Sequence, residues 1–207
     1  MARDAKSFER GKPKFKPQPK VLIICEDKKS SKTYLDEACL HFRAKVDVKI
    51  IHCGKTDPKG IVEEAVSNVK KYEKIFCAID RDEHLNFDEA IRIAKPIAEI
   101  EVIASYPCFE YWLLLHFKYT RKPYRSTKRK SAGDQVVDDL RDENGMSQYA
   151  KGSITGLFSE LHARSAGAHK NATRASIEAE QNKELNPSTM FHELLTYIES
   201  LSKPIKI

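Results

Sequence analysis

The sequence predicts an α/β fold: about four mainly parallel strands flanked by helices, then a helical C-terminal extension. Three observations predict it. Short apolar runs rich in branched residues alternate with helical periodicity as far as Ala104, the rhythm of a parallel sheet with crossover helices. Beyond Pro107 the pattern is mostly helical. With 41% hydrophobic and 32% charged residues, a chain of 207 residues can bury a core without disulfides.

Residues 20–25 form an apolar run that reads as a buried strand. Ser30 or Ser31 can cap a helix through about Arg43, with Tyr34, Leu35, Ala38, Cys39 and Phe42 on one face. Residues 46–51 alternate and read as a second strand. A loop from Gly54 leads into a helix through Lys71 that carries Ile61, Val62, Ala65 and Val69. Residues 74–79 are a third strand. A helix starts at Asn86 or Asp88 and is ended by Pro96, and residues 101–104 are a fourth, shorter strand. Pro107 suits the first turn of a helix whose residues 109–117 are apolar nearly all round, hence buried. The last helix, capped by Ser188, runs to about Leu201. Residues 1–19 read as a disordered basic tail. Residues 20–106 read as the α/β core and 107–207 as the extension.

No apolar run approaches the roughly 20 residues of a membrane helix. No apolar segment follows the N-terminal charges either, so the expected compartment is the cytoplasm. The cysteine usage agrees: the five cysteines are odd in number and lack CxxC spacing, which disfavours a disulfide scaffold or a zinc site.

The net charge of +6 is unevenly placed. The first 20 residues hold seven Lys/Arg against Asp4 and Glu9. A second block, Lys118, Arg121, Lys122, Arg125, Lys128, Arg129 and Lys130, contains no acid. The rest of the chain is net acidic. That pattern suits a polyanionic partner such as nucleic acid, held by phosphate contacts that read no sequence. Tyr119 and Tyr124 interleave the second block, and an exposed tyrosine can stack on an unpaired base. A tail of this kind standing alone is more simply a solvated segment.

Sites in open parallel sheets form outside the carboxyl ends of the strands. Two strands here end in acid: Glu26 follows the first, and Asp80 and Asp82 follow the third. Residues i and i+2 of an extended chain point the same way, so the two aspartates can converge, joined by Glu26 if the strands are neighbours. Such carboxylates repel unless a hard cation resolves them, and Mg2+ or Mn2+ would then take phosphate oxygens in its remaining positions. Solvated turn acids, one of them paired with Arg81, are the plainer reading of the same residues. Glu110, in the first turn of its helix, is either a fourth carboxylate or an acid favoured there by the helix dipole. His84 is a loop histidine that could assist a leaving group. The Gly54, Lys55, Thr56 stretch lacks the upstream glycine of a P-loop.

Four segments together resemble the RloB-like family, a branch of the TOPRIM fold. The first is residues 23–26, ending in Glu26 and followed by Lys29, Ser30 and Tyr34. The second is residues 79–84, with Asp80, Asp82 and His84. The third is residues 105–117, containing Pro107, Cys108, Phe109 and Glu110, and the fourth is residues 186–189. Asp27 stands where that family usually has Gly, and Ser31 where it usually has Glu. The resemblance implies a magnesium-dependent nuclease or related phosphotransfer domain. It also implies anti-phage or foreign-DNA defence, and a partner ATPase of the ABC type. It carries the acid positions onto Glu26, Asp80 and Asp82, with Glu110 as a further acid. In the nuclease reading Lys29 or another nearby cation would balance charge on the phosphate. The alternatives are a non-catalytic module that binds nucleic acid or the ATPase, and a nucleotidyl-transfer enzyme.

Overall fold

The computed structural model describes residues 15–44, 48–81, 84–152 and 155–206. The chain runs β1 (Phe15–Lys16), β2 (Val21–Cys25), α1 (Ser31–His41), β3 (Val48–Ile51), α2 (Pro58–Asn68), β4 (Lys74–Asp80), α3 (Phe87–Ala94) and β5 (Ile100–Tyr106). It continues with α4 (Glu110–Leu114), α5 (Ala132–Arg141), α6 (Leu157–His162), α7 (Ser165–Asn182), β6 (Ser188–Thr189), α8 (Phe191–Ser200) and β7 (Ile205–Lys206). The main sheet has the order β3-β2-β4-β5-β6, parallel except for the β5–β6 pair.

Strand β2 is buried along its whole length because both faces are covered. Its alternate residues divide between two cores. Val21, Ile23 and Cys25 pack with Tyr34, Leu35 and Ala38 of α1 and with Trp112 and Phe191. Leu22 and Ile24 pack with Ile61, Val62 and Ala65 of α2 and with Phe87 and Ala90 of α3. Truncating Leu22, Ile23 or Ile24 to Ala would cost about 2–5 kcal/mol. The chain steps from β2 to β3 on one side, then crosses back to β4 on the other. The order therefore reverses between β2 and β4, which opens a crevice at their carboxyl ends.

Several local expectations are revised. The fourth strand is longer than residues 101–104, because β5 pairs with β4 over Ile75 to Asp80 and with β6 at its end. Pro107 does not open the helix: it follows a cis peptide bond, and α4 starts at Glu110. Ser188 is not a cap. It lies in β6, its hydroxyl donates to the Leu185 carbonyl, and the Thr189 hydroxyl accepts from the Phe191 N–H instead. Of the expected strand at residues 46–51, the first two lie outside the described residues, as do residues 1–14 of the tail. The tail's last residues are placed: β1 pairs antiparallel with β7, and the Gln18 amide donates to the Lys203 carbonyl. Among the described residues, no helix is long and apolar enough to cross a membrane, and the five cysteines are free.

Candidate active site

Glu26 stands one residue beyond β2, where its N–H continues the ladder by donating to the Ala78 carbonyl. Its carboxylate turns across the crevice. Oε2 accepts the Asp80 N–H at 2.8 Å, and Oε1 lies 3.1 Å from His84 Nε2. The neighbouring β2 and β4 thus bring Glu26 and Asp80 together. Asp80 is the last residue of β4, in register with Ser105 of β5. Burial raises its carboxyl well above the usual range, and the negative charges of Glu110 and Glu26 raise it further against the pull of Lys151.

Glu110 completes the group from the other side. It opens α4 and is 1% exposed. The Tyr149 hydroxyl donates to Oε1 at 3.1 Å, and Lys151 Nζ lies 3.4 Å from Oε2. That second oxygen is buried and has no hydrogen bond, so the ammonium is its compensation. Burial works against the Lys151 charge, yet Glu110, Cys108 and Asp80 outweigh it and hold its pKa above the ordinary value. The Cys108 thiol is pushed well up by burial, then by Glu110 and Asp80.

Asp27 is held by the turn that leads into α1, close enough for its charge to add to those acting on Asp80. Its carboxylate accepts the N–H groups of Lys29, Ser30 and Ser31 and the Ser31 hydroxyl, so it serves the N-terminus of α1. Asp27 and Ser31, the two departures from the family pattern, are thus bonded to each other. The expected serine caps are displaced by this arrangement, because neither side chain caps the helix. Lys29 is exposed, with its stem against Gly152. Gly152 has φ 75°, and a Cβ there would meet Lys29 Cβ at 2.5 Å, so only glycine fits. Lys151, not Lys29, is the cation brought to the acids. Asp82 lies outside the described residues. Among the described residues, no group of three or more His, Cys, Asp or Glu has an arrangement that could hold a metal ion.

The second basic block folds against acids remote in sequence. Lys118 pairs with Glu143 at 2.8 Å and Lys122 with Asp139 at 2.9 Å. Lys130 pairs with Asp138, and Arg125 reaches Glu184 at 3.9 Å. Arg121 donates to the Glu184 and Pro187 carbonyls. Lys128 and Arg129 are exposed, with no ion pair among the described residues. The tyrosines are not open stacking platforms. Tyr124 is fully buried and donates to Asp139, while Tyr119 donates to Glu178 beneath the Arg174 guanidinium.

Lys151 and Tyr149 are the contributors that the sequence did not single out. They lie in the irregular segment after α5, and nothing in their spacing marks them. Only the packing of that segment on α4 and on Lys29 brings them to Glu110. Compared with known families, residues 21–198 match the model described as RloB-like protein. No curated protein and no solved structure matches the chain.

Proposed function

The chain belongs to the RloB-like family, and from that membership we propose that it is a metal-dependent nuclease acting on phosphodiester bonds of DNA or RNA. The observation that carries this reading is the meeting of Glu26 and Asp80 at the carboxyl ends of β2 and β4, where burial, and then the charges of Glu110 and Glu26, hold the Asp80 carboxyl well above its usual range. The donor chemistry fits a hard divalent cation, since these are carboxylate oxygens beside an acid kept short of compensation. Asp80 and Glu26, with Asp82 two residues on in the chain, would hold Mg2+ or Mn2+. Once bound, such an ion polarises a phosphodiester and lowers the pKa of a water.

The chain's own groups have separable parts in this reading. His84 Nε2 and Glu26 Oε1 share a hydrogen bond, which orients the carboxylate and gives a path for a proton toward a leaving oxygen. Lys151 keeps the buried Glu110 compensated and turns positive charge toward an incoming phosphate. The Asp27 contacts fix the turn between Glu26 and α1, so the altered loop supports the site without entering it. A defence role beside an ABC-type ATPase is part of the same proposal and rests on the family resemblance. A second reading, a module that binds nucleic acid or the ATPase without cutting, is favoured by the engagement of both Glu26 oxygens with protein groups.

The test is cleavage of labelled DNA and RNA with manganese, with and without a partner ATPase, by wild type, Glu26→Gln and Asp80→Asn. Metal-dependent cutting lost in both variants supports the nuclease. Cutting that survives both places the chemistry elsewhere. Wild type that binds nucleic acid and never cuts in any combination supports the binding module.

A further inference from the structure

At the carboxyl end of the sheet lies a cavity of about 230 Å³ that the chemistry above leaves unused. Its walls include Arg81, Tyr106, Arg125, Ser126 and Ala132. Arg81 follows Asp80 directly, so the cavity opens at the same end of the sheet as the carboxylates. The Arg81 guanidinium is braced on one side by the His84 carbonyl at 2.9 Å and lies 4.9 Å from the Phe87 ring centroid. Arg125 lines the same cavity. Its side chain is 77% exposed, and its ion pair with Glu184 spans 3.9 Å. A pair that long and that exposed contributes little and is readily exchanged for a better anion. Tyr106 supplies an aromatic wall, partly buried and packed edge-on against Phe87. Ala132, at the start of α5, keeps its part of the wall small.

Two guanidiniums and an aromatic ring around one small cavity are complementary to an anion joined to a flat heterocycle. We propose that this cavity is a subsite for one nucleoside monophosphate unit, its phosphate held between Arg81 and Arg125 and its base laid against Tyr106. The same chemistry is offered by a free nucleotide and by one unit of a polynucleotide strand. The strand is the occupant to which the nuclease reading leads, because the cavity opens at the carboxyl end of the sheet, the end that also bears the carboxylates, although Arg81 and Asp80 point to opposite faces of β4. The proposal rests on that reading only for the choice between the two sources.

The experiment measures binding without divalent ion, in EDTA, so that its result is independent of metal and of cleavage. Adenosine 5′-monophosphate and a labelled 12-nucleotide single strand, as DNA and as RNA, are titrated into wild type, Arg125→Gln and Ala132→Met. The arginine variant removes one phosphate donor; the methionine fills the cavity without changing charge. Both should weaken binding by about tenfold or more, and Arg125→Gln, at an exposed side chain, should leave the melting temperature unchanged. Ser126→Leu, at an exposed wall position, replaces Ala132→Met if that variant melts lower. Weakening of the single strand in both variants supports a strand subsite. Weakening of the mononucleotide alone supports a free nucleotide. Equal affinity in all three proteins, no binding by wild type, or weakening in only one of the two variants overturns the proposal. Loss of cleavage with this binding intact would count against the nuclease and not against the subsite.

Discussion

The Lys151 ammonium stands 3.4 Å from Oε2 of Glu110, a carboxylate 1% exposed at the head of α4, while its own side chain is 52% exposed. One partner is therefore committed to the interior and the other is half in water. The Tyr149 hydroxyl holds the opposite oxygen, so the short segment carrying Tyr149 and Lys151 is fastened onto the head of α4 at the place where the acids meet.

That relationship predicts a double-mutant cycle. Lys151→Met strands the buried Glu110 and should lower stability by about 1–2 kcal/mol, less than for a fully buried pair because the lysine is half exposed. In a Glu110→Gln background the same change should cost little. Urea unfolding of the four proteins reads the coupling; equal costs in both backgrounds would show that the pair is not the fastening.

Asp80 is the second case. Its folded pKa lies above the unfolded value, so its charge opposes folding at neutral pH. That cost is relieved as pH falls through the folded pKa. Asp80→Asn should raise the melting temperature at pH 7 and leave it unchanged near pH 4. Manganese should raise the melting temperature of wild type and not of the variant. Absence of any stabilisation by Asp80→Asn at pH 7 would show that neither burial nor its acidic neighbours hold this carboxyl above its usual range, and the site reading would fall with it.

The buried histidines predict a pH dependence of the opposite kind. Burial lowers His116 and His192 from 6.5 to about 4. His116 Nδ1 lies 3.0 Å from the Trp112 carbonyl, while His116 Nε2 and His192 Nδ1 are buried without hydrogen-bond partners, so a second proton on either ring has no acceptor to meet. Between pH 4 and 6.5 the unfolded chain binds more protons at these rings. Stability should therefore rise with pH across that window, by up to about 1.4 kcal/mol per pH unit for each ring, and level off above it. His116→Gln with His192→Gln should flatten the profile; an unaltered slope would assign it to other groups.

The basic block should split in two. Lys128→Gln with Arg129→Gln should leave stability unchanged and flatten the dependence of log affinity for nucleic acid on log salt, by roughly 0.7–0.9 for each phosphate no longer neutralised. Arg121→Gln should instead lower the melting temperature, because it frees two carbonyls at the turn into β6. A salt slope untouched by the Lys128 and Arg129 changes would show that these cations meet no phosphate.

The sheet was legible in the chain alone, because runs such as Val21–Cys25 and Lys74–Asp80 are apolar on both faces and can only be central parallel strands. So was the place where acids would gather, since Glu26 and Asp80 stand at the ends of those runs. Local spacing carries this much because side-chain direction in a strand repeats every two residues. Folding settled the rest. Asp27 could have faced the crevice or the helix, and the open N–H groups of α1 took it. The cations from Lys118 to Lys130 form one positive run in the chain, and packing set Asp138, Asp139, Glu143 and Glu184 among them. Lys151 became the partner of Glu110 through the docking of an irregular segment. Such pairs join residues far apart in the chain, and no local periodicity records them, so the charge balance of the site exists only once the chain has folded.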